Sequence, residues 1–279
     1  MRVALRSILF ALALVLQAAA PKPFKIIEAG IHQTEDGALS PAGTVFVPGE
    51  VIFFSCRLDG YQVSAAKKVS IQYEFSAIDP GGIAIVEPVK GKIEEELSPE
   101  DKEWKPKIRR TVLVPPLAES GVYKIRIAAK DELNGTVSAV EAPFEVHGHN
   151  VAPSETLVVR NFQFYRAEED SEPLKIAAYR PGETVWARFD ITGYKMGPEN
   201  QREVAYTVTV TAPDGIVMLP PREPSVDKGA SFYPMKYVPC AISLNLQPDI
   251  VKAEYTIAIH AEDRVGNQSV EGKQTFRVE

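Results

Sequence analysis

The sequence lacks the short motifs by which common active sites are recognised. It contains no Gly-x-Ser-x-Gly nucleophile elbow, no His-Glu-x-x-His zinc motif, no phosphate-binding glycine loop and no Cys-x-x-Cys pair. Histidine, a frequent acid–base group, occurs only 4 times in 279 residues. These absences predict a protein that is not an enzyme and that uses no cofactor.

An excess of positive charge is also missing. The chain has 31 basic and 37 acidic residues, which gives a formal net charge of -6 at pH 7. Proteins that bind nucleic acid concentrate lysine and arginine on one face. The acidic balance therefore argues against a nucleic-acid partner.

Apolar runs long enough to cross a membrane do not occur after residue 20. The first 20 residues, MRVALRSILFALALVLQAAA, carry two arginines, then an apolar run from Ile8 to Leu16, then small residues. This order is typical of a signal peptide, and the run is too short to span a bilayer as a helix. We therefore expect residues 1–20 to be removed on export, no transmembrane segment to remain, and a periplasmic or secreted location.

What the chain does contain is an internal repeat. Residues 45–61, VFVPGEVIFFSCRLDGY, match residues 178–194, AYRPGETVWARFDITGY, without a gap. Residues 121–135 match residues 253–267 at nearly the same offset. A unit that occurs twice indicates two domains of the same kind.

The apolar residues of each copy alternate along short runs. One such run begins at Tyr123 and its counterpart begins at Tyr255, and turn sequences such as Pro-Gly-Glu and Pro-Asp-Gly separate the runs. Alternation indicates strands with one buried face. We predict an all-β chain of two tandem Ig-like antiparallel β-sandwiches, at residues 21–148 and 155–279, joined by a linker at residues 149–154. Both tyrosines stand where such sandwiches place a tyrosine corner.

Several segments of the second copy resemble known Ig-like domains. The segments YRPGETV at 179–185, VTVTAPDG at 208–215 and YTIAI at 255–259 resemble the macroglobulin-type domains of alpha-macroglobulins. The segment AEDRVGN at 261–267 is similar to bacterial Ig-like repeats of surface proteins. The resemblance implies the Ig-like fold. It does not imply protease trapping, because the Cys-Gly-Glu-Gln thioester motif is absent.

Two cysteines in an exported protein could form a disulfide, but the repeat argues against one. In the repeat, Cys56 aligns with Phe189 and Cys240 aligns with Ile108, both on inward faces of their strands. Thiols in separate cores lie too far apart for the ~4.4 to 6.8 Å between Cα atoms that a disulfide requires. We expect two buried, unreactive thiols.

Two groupings raise the question of a metal site. His147 and His149 could chelate zinc, but zinc sites take three or four protein ligands and the linker offers no identifiable third. Asp131 and Asp263 precede Asn–Gly and Gly–Asn turns and could offer oxygen ligands to calcium, although tight hairpins require the same residues. We expect a solvated linker and two structural turns without metal, and calcium at the turns stays an open alternative.

Some aromatic residues exceed what a sandwich scaffold needs. Exposed aromatic clusters mark contacts with proteins or sugars, although these residues could equally cover a sheet edge or pack between the modules. The candidates lie at aligned outward strand positions or in the loop 231–237, SFYPMKY, and its counterpart 101–105, DKEWK: Phe53, Trp186, Phe232, Tyr233, Tyr237 and Trp104.

These patterns predict a non-catalytic, exported binding or scaffold protein that presents Ig-like modules to a protein partner. The alternative is a carbohydrate-binding accessory protein, in which aromatics of the second module stack on sugar rings. A periplasmic chaperone would rest on the two-sandwich architecture alone. Because the second copy has the aromatic loop 231–237 where the first has the charged stretch 101–105, we predict that this loop of the second module is the contact surface.

Overall fold

The computed structural model describes residues 22–101 and 103–279. The predicted signal peptide, residues 1–20, lies outside the described residues. Within the described ranges the chain forms 17 strands and one 3-10 turn at Pro198–Asn200, and no α-helix. No helix in this part of the chain has the length and apolar character needed to cross a membrane.

Eight strands form the first sandwich, which we call module 1. One sheet has the order β1-β3-β6 and the other has the order β2-β8-β7-β4-β5. Neighbouring strands are antiparallel, except that β2 and β8 are parallel. The strands are β1 (Lys25–His32), β2 (Val45–Phe46), β3 (Val51–Asp59), β4 (Lys68–Ile78), β5 (Val89–Glu96), β6 (Lys107–Leu113), β7 (Gly121–Asp131) and β8 (Val137–Val146).

Nine strands form the second sandwich, which we call module 2. Its sheets have the orders β9-β11-β15 and β10-β17-β16-β12-β13, with β14 also paired to β12. The strands are β9 (Val158–Tyr165), β10 (Ala178–Tyr179), β11 (Thr184–Thr192), β12 (Arg202–Thr211), β13 (Val217–Leu219), β14 (Ser225–Gly229), β15 (Tyr237–Asn245), β16 (Glu254–Asp263) and β17 (Gln268–Val278). This is the all-β, Ig-like sandwich architecture that the alternating pattern predicts.

Each module has its own hydrophobic core between its two sheets. In β7, Tyr123, Ile125 and Ile127 are buried while the residues between them are more exposed. The same alternation runs through β16, where Tyr255 and Ile257 are buried. One face of each sheet is thus removed from water, which is the main favourable term in folding.

Both predicted tyrosine corners are present. The Tyr123 hydroxyl donates to the Glu119 carbonyl oxygen at 3.0 Å, and the Tyr255 hydroxyl donates to the Val251 carbonyl oxygen at 2.8 Å. In each module the bond ties the loop before the strand to the strand itself. The structural interpretation of these tyrosines is confirmed.

Both thiols are free and buried, as the repeat predicts. Cys56 on β3 lies opposite Ile108 on β6, and Cys240 on β15 lies opposite Phe189 on β11. The two residues belong to separate cores. Burial raises the pKa of each thiol to about 12, which leaves almost no reactive thiolate at neutral pH.

Candidate functional site

The loop 231–237, which we call the junction loop, lies between the two modules. Of its three aromatic residues, only Phe232 displays its side chain to solvent, with 48% of its surface exposed. Tyr233 is 8% exposed and Tyr237 is 3% exposed. The expectation that this loop presents an aromatic cluster to a partner is therefore wrong for Tyr233 and Tyr237, because contacts within the chain cover both rings.

Tyr233 inserts into module 1. Its ring belongs to the hydrophobic core of module 1 rather than to that of module 2. Its hydroxyl donates to Oδ2 of Asp79 at 3.0 Å, a carboxylate that is itself buried. Burial raises the pKa of Tyr233 above its usual range, and the neighbouring Tyr123 and Asp79 raise it further.

A lysine of the junction loop reinforces this contact. Nζ of Lys236 lies 2.7 Å from Oε2 of Glu119 and 3.6 Å from Oδ2 of Asp79. The other oxygen of Asp79 accepts the backbone N–H of Ile83 at 2.8 Å. The buried carboxylate thus has a hydrogen bond on each oxygen and a cation nearby, as a buried charge requires.

The segment between the modules is held on both sides. The Gly148 N–H donates to Oγ of Ser120, and an added Cβ at Gly148 would lie 1.9 Å from the Ala118 carbonyl oxygen. Nε2 of His149 lies 2.7 Å from Oδ2 of Asp190 in module 2. Asn150, Ala152 and Pro153 are exposed, as expected of a solvated linker, while Gly148 and His149 are held by module 1 and module 2 respectively.

Among the described residues, neither grouping belongs to a cluster of three or more histidine, cysteine, aspartate or glutamate side chains that could hold a metal ion. Oδ2 of Asp263 accepts the Lys195 N–H at 2.8 Å, and Oδ1 accepts the N–H groups of Val265 and Gly266. Asp131 likewise accepts the N–H of Gln62 at 2.7 Å. These carboxylates fasten the loop after β3 or β11 to the neighbouring hairpin, which agrees with their interpretation as structural turns.

Phe53 and Trp186 are half-buried on the outer faces of their sheets. Phe53 lies on β3 between His32 and Thr111. Trp186 lies on β11 opposite Tyr165, whose ring is stacked beneath the Arg188 guanidinium at 4.2 Å. Phe53 borders a small cleft of about 210 Å³, and neither residue lines the larger clefts of about 1010 and 640 Å³.

A cleft of about 1010 Å³ lies at the end of module 1 opposite the junction. We call it the distal cleft. Three connections meet there, namely the loop after β3, the loop between β5 and β6, and the β7–β8 hairpin. The side chains that define its chemistry are Tyr61, Gln62, Trp104, Asn134, Asp59, Asp101, Glu103, Lys22, Lys67 and Lys105.

Two aromatic rings stand edge to face in the distal cleft. The centroids of Tyr61 and Trp104 are 6.2 Å apart with an interplanar angle of 74°, and the Tyr61 hydroxyl donates to the Trp104 carbonyl oxygen. Burial raises the pKa of Tyr61, and the charges of Asp59 and Asp101 add to the shift. The hydrogen bond holds the loop that carries Trp104, so the ring is pre-positioned.

The corresponding end of module 2 is the one that docks on module 1. There Tyr194, which aligns with Tyr61, donates its hydroxyl to the carbonyl oxygen of Met235 in the junction loop. The same loop then contacts Asp79 and Glu119 of module 1. The end of the sandwich that carries this tyrosine is therefore covered in module 2 but open to solvent in module 1. Sequence reasoning named Trp104 but missed Tyr61, whose signal was its alignment with Tyr194.

No protein-family model and no curated protein matches the chain. Among solved structures, it is similar to the C-terminal domain of the AgI/II polypeptide BspA of Streptococcus agalactiae, with 12% sequence identity. The alignment covers 92% of this chain and 100% of that domain, and the TM-score is 0.30. An overlap of this size transfers no function.

Proposed function

We propose that the chain is a non-catalytic binding protein that acts outside the cytoplasm and takes a segment of a protein partner in the distal cleft. The observation that carries the proposal is the half-buried pairing of Tyr61 with Trp104 at the free end of module 1. In module 2 the equivalent end is engaged by module 1. Module 2 then serves as the base from which module 1 is presented.

The chemistry of the distal cleft suits a polypeptide segment. Aromatic rings offer a large apolar area and few rotatable bonds, so a contact loses little side-chain entropy. Lysines and carboxylates line the cleft together, and Nζ of Lys105 lies 3.5 Å from Oδ2 of Asp59. Mixed charges favour a segment with complementary charges of both signs over a strongly charged polymer.

Sugar binding at the same cleft is the second candidate function. Trp104 could stack on a sugar ring, while nearby carboxylates accept hydrogen bonds from hydroxyl groups. Those acceptors are partly occupied, because Asp101 accepts the Ser98 N–H at 2.9 Å and Asp59 accepts the Gly60 N–H at 2.9 Å. The protein segment is therefore the first choice.

A displayed random-peptide library and a glycan array, each probed with the purified protein, test the proposal. The variant Trp104→Ala should weaken capture of the enriched peptides by about 2 kcal/mol, as loss of an aromatic anchor commonly does. Trp186→Ala removes the other tryptophan and should leave capture unchanged. Glycans retained by the protein and lost with Trp104→Ala would favour sugar binding. Peptides that bind both variants equally would place binding elsewhere and overturn the proposal.

A further inference from the structure

Strand β15 is a sheet edge whose only proline, Pro239, lies near its start. It is the last strand of the sheet β9-β11-β15 and pairs with β11 alone. Edge strands invite pairing with another chain unless charges, prolines, bulges or covering segments prevent it. From Cys240 to Asn245 the sequence is CAISLN, which contains neither charge nor proline.

The equivalent edge of module 1 is protected. Strand β6 has the sequence KIRRTVL and carries three positive charges. Arg110 lies on the inward-facing side of this edge, with its guanidinium 5.2 Å from the centre of the Tyr73 ring. An inward charge on an edge strand is a known device against edge-to-edge pairing. In β15 the aligned residue is Ile242, so the device is missing in module 2.

The backbone of β15 presents free hydrogen-bonding groups. The Leu246 N–H donates to the Glu183 carbonyl oxygen of the segment before β11. In an antiparallel pair, the N–H groups of successive residues point alternately toward the partner strand and away from it. The N–H groups of Ala241, Ser243 and Asn245 therefore point away from β11. The side chains of these three residues are exposed, and no described residue accepts a hydrogen bond from their N–H groups.

An apolar groove runs beside this edge. It has a volume of about 640 Å³, and its lining includes Val208, Met218, Ile242 and Leu244. Met218 is 54% exposed. The groove is open because the segment 220–224, PPREP, separates β13 from β14, whereas in module 1 the single strand β5 pairs with β4 from Lys68 to Phe75.

We propose that β15 is a homodimer interface, in which β15 of a second copy pairs with it in antiparallel orientation about a twofold axis at Ser243. In this register Ala241 faces Asn245 of the second copy, and every free N–H group meets a free carbonyl group. No charged residue faces a like charge, because the paired segment is uncharged. Ile242 and Leu244 of each copy then extend over the groove of the other.

A second copy fits these features better than a charged partner segment. The interface is isologous and closes after two chains, so it does not propagate into fibres. The small outward side chains of Ala241 and Ser243 let two backbones approach to the ~4.8 Å spacing of paired strands. A dimer joined through module 2 would present two distal clefts. The dimer interface itself does not depend on what those clefts bind.

Sedimentation velocity of the purified protein over a wide concentration range tests the inference. The mass should rise from monomer to dimer with concentration. Ser243→Lys places like charges opposite each other at the axis and should weaken self-association about tenfold or more. Thr111→Lys adds the same charge at the aligned position of β6 and should leave self-association unchanged.

A charge-pairing experiment separates a specific interface from a folding defect. Ser243→Glu alone should be as monomeric as Ser243→Lys, and an equal mixture of the two variants should form a heterodimer. A wild-type protein that stays monomeric at all concentrations overturns the inference. So does a Ser243→Lys variant that dimerises as tightly as the wild type, or a mixture of the two variants that stays monomeric.

Discussion

Tyr233 belongs to a loop of module 2, yet its ring packs in the core of module 1 and its hydroxyl donates to Asp79. The bond spans 154 positions of the sequence. Removal of a donor from a buried carboxylate leaves that carboxylate less well solvated than it is in the unfolded chain. At the residue scale, this phenol group is one of the contacts that hold the modules together, beside the ion pair of Lys236 with Glu119.

Tyr233→Phe should lower the free energy of unfolding by about 1–3 kcal/mol, because Asp79 stays buried with one hydrogen bond fewer. Urea-induced unfolding followed by intrinsic fluorescence measures the change. Tyr237→Phe is the matched control, because the Tyr237 hydroxyl has no hydrogen-bond partner among the described residues. Equal midpoints for the two variants would show that the bond to Asp79 contributes nothing to stability.

At the scale of single elements, the two hairpins that end β7 and β16 share one device. Asp263 closes its turn through Val265 and Gly266 and also receives the backbone N–H of Lys195. Asp131 likewise accepts the N–H of Leu133 in its own turn and the N–H of Gln62 in the loop after β3. A turn residue thus becomes a connection between two loops at the same end of the sandwich.

Asp263→Ala should lower the free energy of unfolding by about 1–3 kcal/mol, since it leaves several partly buried N–H groups without an acceptor. Asp214→Ala, at an exposed turn where the carboxylate accepts only the Ile216 N–H, should change it much less. Thermal unfolding in calcium and in chelator provides the second measurement. A rise in the melting temperature with calcium that Asp263→Ala abolishes would instead identify a metal site.

At the scale of the whole molecule, buried phenols make the fold sensitive to alkaline pH. Burial raises the pKa of Tyr123, Tyr179 and Tyr237 to about 12, and that of Tyr233 also rises. An unfolded tyrosine titrates near pH 10.0. The folded state therefore favours the neutral phenol, and this contribution to stability is complete below pH 10.0 and is lost as pH rises through 12.

The free energy of unfolding should therefore fall steadily between pH 10.0 and pH 12. Urea titrations at a series of pH values measure the slope. In Tyr233→Phe the slope should be shallower, because one group that must stay neutral has been removed. A slope that is identical in the variant and the wild type would mean that Tyr233 ionises without disturbing the contact between the modules.

The amino-acid sequence by itself determined the strands, the sandwich class, the tyrosine corners and the burial of both thiols. Each of these follows from short-range patterns: alternation sets which face of a strand is buried, and turn residues end the strands. Alignment of the two copies also predicted that the side chains of Cys56 and Cys240 face the core. These features are local, so no knowledge of distant contacts was needed.

Only the tertiary structure decided which aromatic residues face solvent. The pattern SFYPMKY describes an aromatic loop equally well whether it contacts a partner or another part of the same chain. Its contact with Asp79 and Glu119 depends on how the second module is placed on the first, and no sequence period encodes that placement. The same reason applies to the distal cleft, because three connections that are far apart in sequence form it only when module 1 has folded.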